Sequence, residues 1–171
     1  MSKGFNDLIA KVNTCGVKKV AVAVAQDAHV LEAVRAAKER NIAEAILVGD
    51  QVKIEEVAAA INMDLNEYEV IHVEDPYEAA LKAVSLVSEG KADMYMKGLV
   101  DTKSFLKSIL DKEVGLRTGK PLSHVAVFEV KGYEQLLFLT DVAFMTYPTL
   151  EDKANIIANT VEVAHACGIE C

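Results

Sequence analysis

Four short strand-like runs, separated from one another by helix-like patterns, constrain the fold of this chain most. Residues 20–25 are apolar throughout, and a run without polar alternation predicts a parallel strand that is covered on both faces. Residues 45–48 repeat this pattern, and two further short runs, residues 70–73 and 93–96, are mainly apolar but include His72 and Asp93. Parallel strands need crossover connections, so this spacing predicts strands and helices in alternation.

Residues with strong capping preferences mark the helix boundaries between these runs. Asp27, Asp75 and Asp101 each stand where an N-cap residue is expected. Asn41 and Gly90 stand where two of the helices should end. Alternation of this kind predicts an α/β fold, a mostly parallel doubly wound sheet with helices on both faces.

The pattern changes after Pro121. Residues 122–130 and 135–140 predict two strands joined by a short glycine-containing connection, which is typical of an antiparallel hairpin. At 171 residues, the chain has room for one domain and the beginning of another. We therefore predict a first α/β domain over residues 1–120 and the beginning of a second domain over residues 121–171.

A last helix follows the hairpin. It is predicted to begin at a cap formed by Thr149 and to end near Gly168. Its apolar residues recur at helical spacing, so one face should pack on the core. The residues expected to be buried are Ile156, Ile157, Val161 and Ala164.

The composition argues against several classes of protein. A formal net charge of −8 argues against nucleic acid as a partner, because no basic face outweighs it. The apolar runs are too short to span a membrane, and the amphipathic amino terminus does not resemble a signal peptide. Three cysteines without a C-x-x-C pair favour a reduced, cytoplasmic protein without a zinc site.

The turn after the fourth strand carries the clearest signal for a ligand. Lys97 and Gly98 end the strand, and Asp101 caps the helix that follows. A strand, a glycine turn and a capped helix together direct free backbone N–H groups at an anion. Solvated surface cations on an ordinary turn are the simpler reading, but a cluster of lysines in an acidic chain favours a small anionic ligand. The cluster consists of Lys97, Lys103 and Lys107.

Residues on the same helix and in the next loop add to this hypothesis. The Thr102 hydroxyl stands at the helix start, where it can bind the same oxyanion as the N–H groups. Lys103 and Lys107 are four positions apart, and an anion between them would relieve their repulsion. Arg117 follows in the loop of residues 115–120.

Common catalytic motifs are missing from the sequence or fail on their spacing. No G-x-G-x-x-G fingerprint occurs, and residues 115–121 are one residue short of a phosphate loop, with Pro121 where a magnesium-binding hydroxyl is required. Ser123 and His124 are neighbours on a strand and face opposite ways, which excludes a nucleophile–base pair. We interpret His124 as structural and Asp141 as a turn residue.

Several segments of the chain together resemble the phosphate acetyl/butyryltransferase family, and the butyryl branch is the closer match. The similarity extends over essentially the whole chain, which makes it more specific than any single motif. The segments that carry it are residues 90–98, Thr102 with Phe105 and Leu106, and residues 115–119, 122–125 and 139–141.

This resemblance implies a cytoplasmic, homodimeric enzyme that uses neither a metal nor an organic prosthetic group. Such enzymes exchange an acyl group between coenzyme A and inorganic phosphate, so acyl-CoA and phosphate are the implied partners. The implied fold is similar to that of the isocitrate and isopropylmalate dehydrogenases, with two α/β domains around a cleft. Family members are much longer, so this chain resembles their amino-terminal portion and is expected to be inactive alone.

The resemblance also implies roles for individual residues. The family places a threonine and a basic residue on the helix after the Lys-Gly turn, and Thr102 and Lys107 match. The acetyl branch tends to have arginine at the second position, and lysine lacks its bidentate recognition of phosphate. The residues implied as catalytic are Thr102, Lys107 and Arg117, and those implied as substrate-binding are Lys97, Gly98 and Ser123.

Two alternatives to an acyltransferase remain open from the sequence. The first is a non-catalytic α/β module that binds an anion or coenzyme A. The second is a part of another doubly wound enzyme, such as half of a dehydrogenase. Phosphate-dependent release of free thiol from butyryl-CoA would separate the acyltransferase from both.

Overall fold

The computed structural model describes residues 4–142 and 144–169, and the chain divides into two compact units. Unit 1 comprises Met1–Cys15 and Thr118–Cys171, and unit 2 comprises Gly16–Arg117. The elements in chain order are α1 (Phe5–Val12), β1 (Lys18–Ala23), α2 (Ala28–Glu39), β2 (Ala43–Gly49), α3 (Gln51–Ala60), β3 (Glu69–His72), α4 (Pro76–Ser88), β4 (Met94–Lys97), α5 (Thr102–Ile109), β5 (Val125–Phe128), β6 (Leu137–Thr140) and α6 (Leu150–Ala166).

Unit 2 differs from the predicted first domain, residues 1–120, at its amino-terminal end. Helix α1 belongs to unit 1, because the Phe5 N–H donates to the Glu129 carboxylate at 2.7 Å. The Lys11 ammonium also donates to the Ala166 carbonyl at 2.8 Å. The division of a longer protein into domains stays a prediction.

Four parallel strands form the sheet of unit 2, in the order β3–β2–β1–β4. In the centre, Val20 of β1 pairs with Ala45 of β2 on one side and with Met94 of β4 on the other. All four strands end at the same edge because they are parallel. The structure confirms the mostly parallel sheet.

Helices cover both faces of this sheet. Val22 belongs to a core cluster with Leu31 of α2 and Ile54 of α3. Its neighbour Ala21 belongs to a second cluster with Ala80 of α4. Adjacent strand residues point to opposite faces, so these two clusters lie on opposite sides of the sheet.

Capping interactions explain where the helices begin and end. The Asp27 carboxylate accepts from the N–H of Val30, and the Asp75 carboxylate accepts from two N–H groups in the first turn of α4. Asn41 has a φ of 55° and Gly90 a φ of 72°, the left-handed conformation that ends a helix. The predicted caps and stops are confirmed at these positions.

Strand β1 ends earlier than the apolar run 20–25 predicted. Val24 is buried and has a φ of 58°, which is an uncommon conformation for a β-branched residue. The next N–H, that of Ala25, donates to the Val48 carbonyl of β2 at 3.1 Å. The periodicity of the sequence did not reveal this break, because apolar side chains continue through it.

Unit 1 contains an antiparallel pair, β5 and β6, as the hairpin pattern predicted. Helix α6 begins with a capping box formed by Thr149 and Asp152 and packs on β6. Ile156 is buried, but Ile157 is 62% exposed and Val161 is 37% exposed, so the predicted burial of these two residues is wrong. A two-stranded sheet covers only a narrow strip of the helix, which explains the difference.

Candidate anion-binding site

The candidate site of unit 2 lies where the strand order reverses. From β1 the chain crosses first to β2 and β3 on one side, and later to β4 on the other side. Ligands of doubly wound sheets bind beyond the carboxyl ends of the strands at such a reversal. Lys97 ends β4 at this edge, and Gly98 follows it.

Gly98 packs directly against the end of β1. Its N–H donates to the Ala23 carbonyl at 2.9 Å, and the next N–H, that of Leu99, donates to the Val24 carbonyl at 2.8 Å. A β-carbon at Gly98 would overlap both carbonyl oxygens. The position therefore requires glycine for close packing, and its N–H is used within the sheet.

Lys97 is exposed, and its side chain turns back over the glycine. Its Nζ atom lies 3.4 Å from the Gly98 carbonyl oxygen. A lysine head group in this position contributes positive charge to the carboxyl edge of the sheet. The aspartates at the other strand ends cap helices, as Asp27 and Asp75 do.

The start of α5 already carries a carboxylate. Asp101 accepts from the Ser104 N–H at 3.0 Å, and hydrogen bonds from the Ser104 side chain and backbone lower the pKa of Asp101. Thr102, the first residue of α5, is exposed beside it. An oxyanion bound at Thr102 would lie near this negative charge.

Lys107 is held against α4. Its Nζ atom lies 4.2 Å from the centroid of the Tyr77 ring, a cation–π contact with the first turn of that helix. This contact accommodates the Lys107 charge without an anion between Lys103 and Lys107. No pattern in the sequence indicated a contact with Tyr77, because the two residues belong to different helices.

A buried serine and two half-buried aromatic rings fix helix α5 to β4. The Ser108 hydroxyl is fully buried and lies 2.8 Å from the Tyr95 hydroxyl. The rings of Tyr95 and Phe105 stack with their centroids 4.6 Å apart. Burial raises the pKa of Tyr95, which favours the protonated phenol.

Arg117 follows a loop that closes the end of α5. The Leu116 N–H donates to the Ile109 carbonyl at 2.8 Å, which brings the chain back to the last turn of the helix. A cation is favoured beside these helix carbonyls. The Arg117 side chain is exposed, and no hydrogen bond or ion pair is found for it within residues 4–142 and 144–169.

Ser123 lies in unit 1, unlike the other predicted site residues. Its hydroxyl accepts from the Asn159 carboxamide of α6 at 2.9 Å. The next N–H, that of His124, donates to the Asp141 carboxylate at 2.8 Å, and the same carboxylate accepts from the Met145 N–H. The Asp141 carboxylate therefore accepts from two backbone N–H groups, and the interpretations of His124 as structural and of Asp141 as a turn residue stay predictions.

The described part of the chain offers neither a cluster of metal ligands nor a membrane-spanning helix. In residues 4–142 and 144–169, histidine, cysteine and acidic side chains form no group of three or more that would suit a metal ion. None of the helices in the same ranges combines the length and the apolar character needed to cross a membrane.

A parallel doubly wound sheet, with lysines and a glycine turn at the carboxyl edge of its strands, defines an α/β protein of the kind that binds ligands at that edge. The chain belongs to the phosphate acetyl/butaryl transferase family, which matches it over residues 4–80 and 75–171.

A curated relative agrees with this assignment. The chain is 61% identical over 170 residues to phosphate butyryltransferase of Clostridium beijerinckii. The aligned residues make up 99% of this chain and 56% of that protein. The chain thus spans little more than half the length of this relative.

Solved structures give a similar result. A branched-chain phosphotransacylase from Enterococcus faecalis is 30% identical, with a TM-score of 0.71 over 87% of this chain and 51% of that chain. A phosphotransacetylase from Streptococcus pyogenes is 17% identical, with a TM-score of 0.80 over 97% of this chain and 60% of that chain, and shows the fold alone.

Proposed function

We propose that the complete protein is a phosphate acyltransferase that converts acyl-CoA and phosphate to acyl phosphate and free coenzyme A. Butyryl-CoA is the proposed acyl donor. The observation that carries this proposal is the 61% identity to phosphate butyryltransferase, which extends over 99% of the chain and so includes the whole candidate site. The family match over both halves of the chain supports it.

The proposed reaction is a direct displacement. A phosphate oxygen attacks the thioester carbonyl carbon, the carbon–sulfur bond breaks, and coenzyme A leaves as a thiolate that takes a proton from solvent. Positioned cations and N–H groups hold the phosphate and stabilise the developing oxyanion. The residues proposed for this task are Thr102, Lys107 and Arg117, with Lys97, Gly98 and Ser123 in substrate binding.

We propose different contributions for these residues. The Gly98 N–H is already hydrogen-bonded to the Ala23 carbonyl of β1. We therefore propose that Gly98 contributes by bringing the backbone close to the strand end and by directing the chain into α5. Lys97, Lys107 and Arg117 are exposed and supply charge. Arg117 is the strongest candidate among them, because a guanidinium binds phosphate through two hydrogen bonds.

The finer features implied by the resemblance belong to the same proposal. They are a fold of the isocitrate and isopropylmalate dehydrogenase type, a homodimer, a cytoplasmic location, and catalysis without a metal or prosthetic group. The relatives are named as transferases, which favours acyl transfer over a non-catalytic binding module or half of a dehydrogenase.

Release of free thiol tests the function. The complete gene product should release coenzyme A from butyryl-CoA only when phosphate is present, and acyl phosphate should form in equal amount. Thiol release that does not depend on phosphate would contradict the proposal. The 171-residue chain alone is expected to show no turnover.

Arg117→Ala tests the site. In the complete gene product, this change should raise the KM for phosphate or lower kcat at least about tenfold, equivalent to about 1.4 kcal/mol. Arg40→Ala is the matched control, because Arg40 is also exposed but lies at the end of α2, near the opposite edge of the sheet. Steady-state kinetics equal to those of the control would remove Arg117 from the site.

A further inference from the structure

The Asn159 carboxamide joins α6 to the segment that precedes β5. Its Nδ2 atom lies 2.9 Å from the Ser123 Oγ and 3.3 Å from the Pro121 carbonyl oxygen. A carbonyl oxygen can only accept, so the Pro121 contact fixes which end of the carboxamide carries the N–H groups. The group that faces Ser123 is therefore a donor, and the serine oxygen accepts.

Because the Ser123 hydroxyl accepts from Asn159, only some of its hydrogen-bonding positions remain available to a ligand. A serine hydroxyl has one proton and two acceptor positions. Asn159 takes one acceptor position, and within the described ranges no hydrogen bond takes the proton. The hydroxyl is left as a donor, which is the polarity that a phosphate oxygen or a polarised carbonyl oxygen requires.

Both residues of the Asn159–Ser123 hydrogen bond are held in place by their surroundings. Asn159 lies in the middle of α6, a helix of 17 residues with a complete capping box at its start. After Ser123, the chain is held by the hydrogen bond from His124 to Asp141 at 2.8 Å. The orientation of the Ser123 hydroxyl therefore follows from Asn159 and not from a free loop.

We propose that Asn159 is a positioning residue for acyl transfer, which holds the Ser123 hydroxyl as a hydrogen-bond donor to a substrate oxygen. Ser123 contacts the substrate, and Asn159 acts through it. The inference rests on the proposed acyltransferase function and adds to it a residue that neither the motifs nor the resemblance indicated.

A double-mutant cycle in the complete gene product tests the pair. Ser123→Ala and Asn159→Ala should each lower kcat/KM for phosphate about tenfold with butyryl-CoA as the acyl donor. Both changes remove the same interaction, so the double variant should be no slower than Ser123→Ala alone. Asn155→Ala is the matched control, because Asn155 lies one turn earlier on α6 and donates to the Glu151 carbonyl of its own helix.

Asn159→Asp adds a second measurement, the pH dependence of kcat/KM, which a purely structural role of Asn159 would not change. A carboxylate has nearly the same shape but can only accept, so it would bind the Ser123 proton and lower kcat/KM by more than Asn159→Ala at about pH 8. Protonation of the carboxyl restores a donor, so the deficit relative to wild type should shrink as the pH falls. This variant decides the question if Asn159→Ala does not fold.

The possible outcomes separate this inference from the proposed function. Additive losses in the cycle, or a wild-type pH profile for Asn159→Asp, would overturn the role of Asn159 in an enzyme that remains an acyltransferase. A wild-type protein without phosphate-dependent thiol release would overturn the function, and the role of Asn159 with it.

Discussion

At the scale of single residues, the ends of β1 and β4 meet under a close steric constraint. Val24 is held at a φ of 58°, and such a conformation costs a non-glycine residue about 1–3 kcal/mol. Its carbonyl accepts from the Leu99 N–H at 2.8 Å, while Gly98 bonds to Ala23. The two strand ends fit together, and this fit sets the direction in which the chain enters α5.

Gly98→Ala tests this close approach. We expect a loss of about 2 kcal/mol or more in the free energy of unfolding, because the methyl group would overlap two backbone carbonyls that cannot easily move. Gly90→Ala is the control, since Gly90 has open space around it and alanine there should cost only about 1–2 kcal/mol for the left-handed conformation, at a φ of 72°. Urea unfolding of the complete gene product measures both, and equal losses would contradict the argument.

At the scale of the element, α5 is held at three places. Asp101 caps its start, the Ser108 hydroxyl meets the Tyr95 hydroxyl at 2.8 Å, and the Leu116 N–H closes its end on Ile109. These contacts orient the helix that presents Thr102 and Lys107. They also make its first turn sensitive to the charge of the capping carboxylate.

The contribution of the α5 cap to stability should therefore depend on pH. The pKa of Asp101 is lowered on folding, so its carboxylate stabilises the folded state above its unfolded pKa, and this stabilisation is lost as the pH falls through the folded pKa. Asp101→Asn keeps a cap but has no charge to lose. The melting temperature of wild type should exceed that of the variant at neutral pH, and the difference should shrink below about pH 4.

Thermal unfolding followed by circular dichroism between about pH 3 and pH 7 measures this difference. The comparison with Asp101→Asn cancels the titration of all other carboxyl groups. A difference that stays constant over the whole range would show that the charge of Asp101 does not contribute.

At the scale of the whole molecule, the core of unit 2 consists of one apolar cluster on each face of a single sheet. One cluster contains large aliphatic side chains such as Leu31 and Leu47, both fully buried. The other consists mainly of small residues, including Ala21 and Ala80, which let α4 approach the sheet closely. The sheet that carries the candidate site therefore depends on packing from both sides.

Leu31→Ala tests the contribution of this core. Leu31 is fully buried, so its truncation should lower the free energy of unfolding by about 2–5 kcal/mol. Val52→Ala should cost less than about 0.5 kcal/mol, because Val52 is 60% exposed. Chemical denaturation compares the two, and similar losses would mean that the apolar cluster around Leu31 contributes little.

Much of unit 2 follows from local patterns in the sequence. The N-caps at Asp27, Asp75 and Asp101 and the stops at Asn41 and Gly90 were predicted, because a cap depends on residues within one turn of the helix. The burial of Ile157 was not predicted correctly, because helical spacing shows which residues share a face but not how much of that face is covered.

Local patterns are enough to predict the kinds of element and most helix boundaries, since capping and apolar periodicity act over a few residues, and the alternation of strands with helices predicts the parallel pairing. Three features could be seen only in the folded chain: the strand order β3–β2–β1–β4, the contact of Lys107 with Tyr77 and the hydrogen bond between Asn159 and Ser123. Each of these joins segments that are distant along the chain, and their meeting depends on how whole elements pack.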